Sequence, residues 1–295
     1  MTSTLYEQIQ QFYDTSSDVW ERVWGEHMHH GYYGSQGDRL KDRRQAQIDL
    51  MEELLDRAYL PSFDRTSQLL DIGCGIGGAT LYLTQKFNIK GTGITLSPVQ
   101  AARAGDRARE AGLEGQAGFL VANALDVPFA DESFDLVWSL ESGEHMPDKA
   151  RFLGECYRLL KPGGTLVLAT WCHRSTENAP LTTAERQHLE QIYQAYHLPY
   201  VISLPEYESI AGGLGFTNLQ VEDWSLAVAP FWDAVIESAF DPMAMLGLLT
   251  SGWETIRGAL AIALMRDGYR QGLIRYGVLW GTKSFSTPNE TTTNE

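Results

Sequence analysis

The sequence predicts an α/β protein with a largely parallel sheet, and three observations carry this prediction. From Gln68 onward, short apolar runs alternate with helical stretches, a pattern typical of right-handed strand–helix–strand units. The apolar runs are nearly continuous, as expected for strands that are buried on both faces. A glycine-rich turn joins the first strand to the first helix. With 43% hydrophobic residues among 295, the chain can bury the core that such a sheet requires.

The elements of the predicted core follow in regular order. Strands are expected at residues 69–72, 91–95, 118–122, 134–140 and 165–170, and helices at 78–87, 98–111 and 149–160. Beyond residue 171 come two helical insertions, at about 182–197 and 231–269. They are separated by a helix and a strand-like run at 218–225, and a last strand is expected at 276–282. Ahead of the sheet, a helical and aromatic-rich lead covers residues 5–13, 20–33 and 40–58.

These patterns divide the chain into four parts. Residues 1–60 form a helical N-terminal lid, 61–175 a nucleotide-binding core, 176–283 a substrate cap together with the last strands, and 284–295 a tail. The tail is rich in Thr, Asn and Glu, which predicts disorder. The added helices supply the volume that a core of this kind would use to enclose a substrate.

Charge and cysteine content exclude several classes of protein. A net charge of −15 repels phosphate backbones, so nucleic acid is not expected as a partner. Three widely spaced cysteines form neither a disulfide framework nor a metal-binding pair, which favours a reducing cytoplasm. No signal peptide is expected at the start, and the apolar run at 259–265 is far shorter than the ~20 residues of a membrane span. Peripheral membrane contact and oligomeric state stay open.

The glycine-rich turn spans residues 71–78 and reads DIGCGIGG. Its glycines allow a tight turn and close approach of a ligand to the backbone, while the free N–H groups of the next helix favour an anionic group. Dinucleotide-binding dehydrogenases use a related turn, but their last glycine follows a spacer of two residues. Here the second strand ends at Thr95 without an acidic residue for a ribose, although Gln100 lies one turn further on. The runs FDLV at 134–137 and LKPGG at 160–164 are also foreign to the dehydrogenase pattern.

The turn at 71–77 and the runs at 134–137 and 159–164 resemble the motifs of class I S-adenosylmethionine-dependent methyltransferases. That resemblance implies a Rossmann-like seven-stranded sheet with an antiparallel last strand. Further segments are similar to the γ-tocopherol C-methyltransferases, especially those of cyanobacteria, and indole-alkaloid N-methyltransferases share the scaffold. These segments are WGEHMHHGYY at 24–33, RRQAQ at 43–47, GITLSPVQ at 93–100, ESGEHMP at 141–147 and TWCHR at 170–174.

The resemblance implies S-adenosylmethionine as the cofactor and a set of residues that contact it. The loop glycines would cradle its methionine and ribose, Asp71 would orient the loop, and Thr95 and Gln100 would lie near the ribose. Asn123 would accept from the adenine amino group through its amide oxygen, or it caps a turn instead. The expected contacts are Asp71, Gly73, Cys74, Gly75, Gly77, Thr95, Gln100, Asn123, Ala124, Leu140 and Tyr13.

The chemistry predicted for this site is methyl transfer to a lipophilic aromatic small molecule. A phenol becomes a carbon nucleophile when it loses its proton, so a nearby base would help. Glu144 and His145 follow the fourth strand, where an open α/β sheet presents residues to its ligand. One of the two is expected to act as the acid or base, with the other orienting it. A local salt bridge or a helix cap is the alternative role.

Aromatic and histidine side chains are the expected lining of the acceptor pocket. No second ligand set accompanies the histidines at 27, 29 and 30, so no metal is expected. Ring C-methylation of γ-tocopherol is the favoured activity, and N-methylation of a terpenoid indole alkaloid is the alternative. A non-catalytic S-adenosylmethionine-binding protein and a nicotinamide-dependent oxidoreductase are less favoured. The expected pocket residues are His29, His30, Tyr33, Trp171, His173, Phe231 and Trp232, with Phe240, Met243 and Met245 nearby.

Overall fold

The computed structural model describes residues 5–7, 9–11, 13–14, 21, 25–239 and 253–285. Helices in this part of the chain are α1 (Arg43–Arg57), α2 (Gly78–Phe87), α3 (Pro98–Glu110), α4 (Lys149–Leu159), α5 (Thr183–Tyr196), α6 (Leu204–Leu214), α7 (Ser225–Val228), α8 (Pro230–Ala239) and α9 (Trp253–Arg270). Strands are β1 (Gln68–Ile72), β2 (Lys90–Thr95), β3 (Ala117–Val121), β4 (Phe134–Leu140), β5 (Leu160–His173), β6 (Phe216–Asp223) and β7 (Ile274–Lys283). Phe240, Met243, Met245 and the tail from residue 286 lie outside the described residues.

The strands form one seven-stranded sheet in the order β3-β2-β1-β4-β5-β7-β6. The first five strands are parallel, and β7 runs antiparallel to both β5 and β6, as the family resemblance implied. Strands β2 and β3 follow outward from β1 on one side of the sheet, and β5 follows outward from β4 on the other. The order therefore reverses between these two strands, and their carboxyl ends open a crevice where open α/β sheets bind ligands.

Apolar side chains cover both faces of the sheet. Leu69 of β1 packs into a cluster with α1, α5, α8 and α9, whereas its neighbour Leu70 packs into a second cluster with α4 and α6. Consecutive strand residues point to opposite faces, so a strand buried on both sides must be apolar throughout. The predicted elements of the core are confirmed to within a few residues, except that β5 begins at Leu160 rather than Thr165.

The helical prediction for residues 20–33 is wrong over residues 25–33, which form no helix, although Glu21 is helical. This segment is buried and crosses the molecule without regular structure. Its backbone groups bond to other elements: Tyr32 N–H donates to the carbonyl oxygen of Ala46 at 2.8 Å, and Tyr33 N–H donates to that of Ala227 at 2.9 Å. A Cβ on Gly31 would lie 2.5 Å from the Ala46 Cβ, so glycine permits the close packing on α1. These tertiary contacts replace the intrahelical hydrogen bonds.

No helix within the described ranges combines the length and apolar character that crossing a membrane requires.

Candidate active site

The glycine loop leaves β1 and turns into α2 at the crevice. Gly73, Gly75 and Gly77 have φ values of 81°, 53° and 83°, a left-handed region that side-chain-bearing residues rarely adopt. A Cβ on Gly73 would also lie only 2.2 Å from the Cβ of Ser142, which follows β4. The Ser142 hydroxyl donates to the carbonyl oxygen of Ile72 at 2.7 Å and so ties the two strand ends together.

A cavity extends from this loop across the carboxyl ends of the strands. It is lined by all the expected cofactor contacts except Gly77, which lies behind the loop at the start of α2. Space opens beside Gly75, where the sulfur of Met28 at 4.0 Å is the nearest atom that an added Cβ would meet. The bare backbone of the loop therefore faces the cavity, as a bound nucleoside would require.

Asp71 is the penultimate residue of β1 and is 2% exposed at the base of the loop. The Thr80 hydroxyl of α2 donates to its Oδ2 at 2.6 Å. Burial raises the pKa of the Asp71 carboxyl to about 7, while the Thr80 hydrogen bonds act in the opposite direction. This carboxyl therefore links the end of β1 to α2 across the loop.

Three polar residues mark the far wall of the cavity. The Thr95 hydroxyl donates to Oε1 of Gln100 at 2.8 Å, and Gln100 is fixed in turn because its N–H donates to the Ser97 hydroxyl that caps α3. Asn123 lines the cavity, but its Oδ1 accepts from the N–H of Leu125 at 2.9 Å. The turn-capping alternative for Asn123 is thus realised in the structure.

Glu144 lies in a single 3₁₀ turn, Gly143–His145, directly beyond β4. It is 1% exposed and lines the cavity, and its Oε2 accepts from the Thr170 hydroxyl of β5 at 2.7 Å. Burial and the neighbouring Glu141 charge raise the pKa of the Glu144 carboxyl to about 7. A buried carboxyl that titrates near neutral pH is suited to taking and returning a proton.

His145 is the second expected acid or base, and its imidazole is less basic than that of an ordinary histidine. Burial, with smaller contributions from Lys149 and His197, lowers the pKa of its imidazole to about 3. Its Nε2 lies 2.8 Å from the hydroxyl of Tyr13, a contact that ties the N-terminal segment to this turn. His145 is therefore suited to positioning, and Tyr13 joins the cavity wall through it.

Lys149 fixes the turn that carries both residues. It is 2% exposed, and its ammonium group donates to three backbone carbonyl oxygens, those of Gly143 at 2.9 Å, Glu144 at 2.9 Å and Met146 at 2.7 Å. Burial lowers the pKa of this amine to about 7, against the opposing charge of Glu144. No sequence signal marks this role, because a lysine in the first turn of a helix usually faces solvent.

The expected acceptor-pocket residues divide into two groups. His29 and Trp171 line the cavity, whereas His30, Tyr33, His173, Phe231 and Trp232 do not. Tyr33 packs in the core near Ala227, and the Nδ1 of His173 lies 2.7 Å from the carbonyl oxygen of Arg174. His30, Phe231 and Trp232 lie together behind Trp171.

Sequence reasoning missed several cavity residues. Glu141 lines the cavity and stands in the same ESGEH run as Glu144, so its position after β4 was an available signal. Tyr196 ends α5 and packs edge-on against Trp171 at 5.2 Å between ring centroids. Tyr6, Ile9 and Met28 come from the N-terminal segment, where no periodicity marks them.

The lining fits S-adenosylmethionine better than a dinucleotide. Three residues with carboxyl groups line the cavity and favour a ligand that carries positive charge: Asp71 and Glu144 are buried, and the side chain of Glu141 is 6% exposed. The same carboxyls would repel a pyrophosphate. Within the described ranges, no group of three or more His, Cys, Asp and Glu side chains is placed to hold a metal ion.

Comparisons of the sequence with known proteins find methyltransferases. A family model described as a methyltransferase domain matches residues 70–168. The chain is 46% identical over 288 residues to a rice protein (Oryza sativa subsp. japonica) described as "Probable tocopherol O-methyltransferase, chloroplastic", covering 96% of this chain and 80% of that one. It is 33% identical to a 2-methyl-6-phytyl-1,4-hydroquinone methyltransferase of Synechocystis, covering 92% and 86% of the two chains.

Two further matches are an alkaloid N-methyltransferase and a solved structure of a C-methyltransferase. An ajmaline N-methyltransferase of Rauvolfia serpentina is 32% identical, with 94% of this chain and 98% of that one covered. Among solved structures, a geranyl diphosphate C-methyltransferase from Streptomyces coelicolor superposes with a TM-score of 0.74 at 22% identity, covering 95% and 97% of the two chains. This last likeness concerns the fold, which is the seven-stranded sheet described above.

Proposed function

The chain belongs to the tocopherol methyltransferase family of S-adenosylmethionine-dependent enzymes, and we propose that it transfers a methyl group to a ring carbon of a lipophilic phenol, with γ-tocopherol as the acceptor. One observation carries this proposal. A single cavity joins the glycine loop to Glu144 and to an aromatic wall formed by Trp171 and Tyr196. The glycine loop, the Glu144 carboxyl and an apolar wall thus share one cavity, which supports this assignment.

The cofactor supplies an electrophilic methyl group when it is bound. The chain contributes binding and orientation: Asp71 holds the loop, Gly73 and Gly75 present bare backbone, and Thr95 and Gln100 offer hydroxyl and amide groups. Alignment and exclusion of water are the main requirements of a displacement reaction. The buried walls of the cavity meet the second requirement.

Glu144 is the group we assign to the proton chemistry. Its carboxylate can accept the proton of the phenol, which makes the ring electron-rich, because its pKa of about 7 lies near the working pH. Methylation at carbon replaces a ring hydrogen by a methyl group and releases one proton. Glu144 returns the phenolic proton to the oxygen, and the carboxylate so regenerated takes the proton that leaves the ring carbon and passes it to water. His145 and Tyr13 hold the neighbouring wall.

The test is a product assay with isotopically labelled methyl donor. The purified chain is incubated with γ-tocopherol, with 2-methyl-6-phytyl-1,4-hydroquinone and with an ajmaline-type indole alkaloid, and the products are analysed by mass spectrometry and NMR. We expect the label on a ring carbon of a phenolic acceptor. Label on the phenolic oxygen would refute carbon methylation, and label on the alkaloid nitrogen alone would replace the proposed acceptor by the second candidate.

A further inference from the structure

Behind the cavity wall lies a closed cluster of rings around His30, which we call the aromatic box. The His30 ring lies between 4.7 and 6.1 Å, centroid to centroid, from the other rings. These rings come from the ends of β5 and β7 and from α8 and α9, so distant parts of the sequence build one compartment. The box consists of His30, Trp171, Phe231, Trp232, Tyr269 and Tyr276.

Four polar atoms in the box have no hydrogen-bond partner within the described part of the chain. They are Nε2 of His30, Nε1 of Trp171, Nε1 of Trp232 and the hydroxyl of Tyr269. Their side chains are 1%, 6%, 0% and 9% exposed, so bulk water does not reach them. A buried donor without a partner is costly, and four in one compartment indicate a polar group that they are built to receive.

Glu141 orients the histidine of the box. Its Oε1 accepts from the His30 N–H at 2.7 Å and from the Tyr276 hydroxyl at 2.9 Å, while its Oε2 lies 2.8 Å from His30 Nδ1. Because Nδ1 is held by a carboxylate, Nε2 is the atom of the ring that remains for a ligand. Glu141 also has a φ of 53°, an uncommon conformation for a residue with a side chain, which places it at this position beyond β4.

Two residues connect the box to the active-site cavity. Trp171 and Glu141 both line the cavity, and both contact His30. Glu141 also lies only three residues before Glu144, so the box adjoins the place where the reacting phenol is expected. A ligand ring that is bound at Glu144 therefore has the box as its neighbour.

We infer that the aromatic box is a subsite for a second oxygen on the ring of the acceptor, in addition to the phenolic oxygen served by Glu144. Two indole N–H groups and one phenol O–H of the box are buried without a partner within the described residues, and each can donate to an oxygen that accepts hydrogen bonds. His30 Nε2 adds a partner for a hydroxyl hydrogen. A hydroquinone, with a second hydroxyl, and a chromanol, with a ring ether, share this chemistry. The inference rests on the proposed function, and it makes the box the determinant of acceptor class.

The test removes one polar group at a time from the box and keeps an aromatic ring at each position. Tyr269→Phe and Trp232→Phe each delete one donor, and Trp138→Phe is the matched control, because the Nε1 of Trp138 is also buried without a partner but lies outside the box. KM is measured for 2-methyl-6-phytyl-1,4-hydroquinone, for γ-tocopherol and for a phenol of equal size that lacks the second ring oxygen. Binding of S-adenosylhomocysteine, followed by calorimetry, verifies that each variant is folded.

We expect the wild type to prefer both two-oxygen acceptors over the one-oxygen phenol by about tenfold or more in KM, as for one or two buried hydrogen bonds. Tyr269→Phe and Trp232→Phe should reduce this preference about tenfold, and Trp138→Phe should keep it. If the preference in KM falls further for the hydroquinone than for γ-tocopherol, a free hydroxyl is the group that the box prefers. An undiminished preference in both box variants would overturn the inference. A wild type that methylates no phenol would instead overturn the proposed function itself.

Discussion

Replacing Glu144 with glutamine is expected to abolish most activity and to stabilise the protein at the same time. The carboxyl is 1% exposed, and burial raises its pKa from 4.5 to about 7. Glutamine cannot take a proton from the acceptor, so we expect kcat to fall by about 10²–10⁴-fold. The wild-type profile of kcat against pH should rise towards a plateau above about pH 7, since the ionised carboxylate is the active form.

The stability gain follows from the same raised pKa. Between about pH 4.5 and 7 the unfolded chain releases the Glu144 proton while the folded chain keeps it. Glu144 therefore lowers the free energy of unfolding progressively as the pH rises through this window, and the loss is complete above the folded pKa. A difference of about 2.5 pKa units corresponds to about 3 kcal/mol. The glutamine side chain does not titrate, so the variant avoids this loss. Its free energy of unfolding should exceed that of the wild type by about 3 kcal/mol at pH 8 and by less than about 1 kcal/mol at pH 5.

Urea unfolding of both proteins at pH 5, 6, 7 and 8 measures this difference. Asp71 has a raised pKa of the same kind, but it is present in both proteins and its effect cancels in the comparison. Glu208→Gln, at an exposed position of α6, is the control and should change neither kcat nor stability. A Glu144→Gln variant that is equally stable at pH 8, or that keeps its turnover, would refute the assignment of Glu144 as a buried base.

Three other variants test the remaining parts of the site. Gly73→Ala should weaken S-adenosylmethionine binding by at least about tenfold in calorimetry, because its Cβ would collide with the end of β4. Gly105→Ala is the control, because a Cβ there meets nothing within 4 Å, and it should bind S-adenosylmethionine like the wild type. Equal affinities of the Gly73→Ala and Gly105→Ala variants would contradict the loop geometry. Lys149→Met should lower both kcat and the free energy of unfolding, the latter by about 2 kcal/mol in urea, since three carbonyl oxygens lose their donor. An unchanged kcat would show that catalysis does not need the Lys149 ammonium group at this turn. Tyr13→Phe removes the hydroxyl paired with His145 and should lower kcat about tenfold in steady-state assays; a wild-type rate would exclude this pair from the reaction.

The core of the fold could be predicted from the sequence because its signals are local. Leu69 and Leu70 form an apolar run just before Asp71 in β1, and Gly77 stands where a left-handed residue precedes α2. The capping serine and the proline at the start of α3 mark that helix in the same way. Each of these features depends on residues within a few positions, so pattern and structure agree.

The rest of the site depends on contacts between distant residues. Residues 25–33 were expected to be helical, yet the side chain of Gln47 donates to the carbonyl oxygens of His27 and His29 and holds the segment in an irregular path. His30 was expected in the pocket for its position beside His29, but its neighbours are contributed by α8, α9 and β7. Lys149 acts on a turn that only tertiary structure brings around its ammonium group. No local pattern encodes these arrangements.

The central claim is that the turn at residues 71–77 holds S-adenosylmethionine in the cavity that also contains Glu144. Calorimetric titration of the purified, folded chain with S-adenosylmethionine, and separately with NAD, tests it most directly. We predict saturable binding of S-adenosylmethionine at one site per chain, weakened by Gly73→Ala, and no binding of NAD. A folded chain that takes up NAD or neither nucleotide would contradict the account.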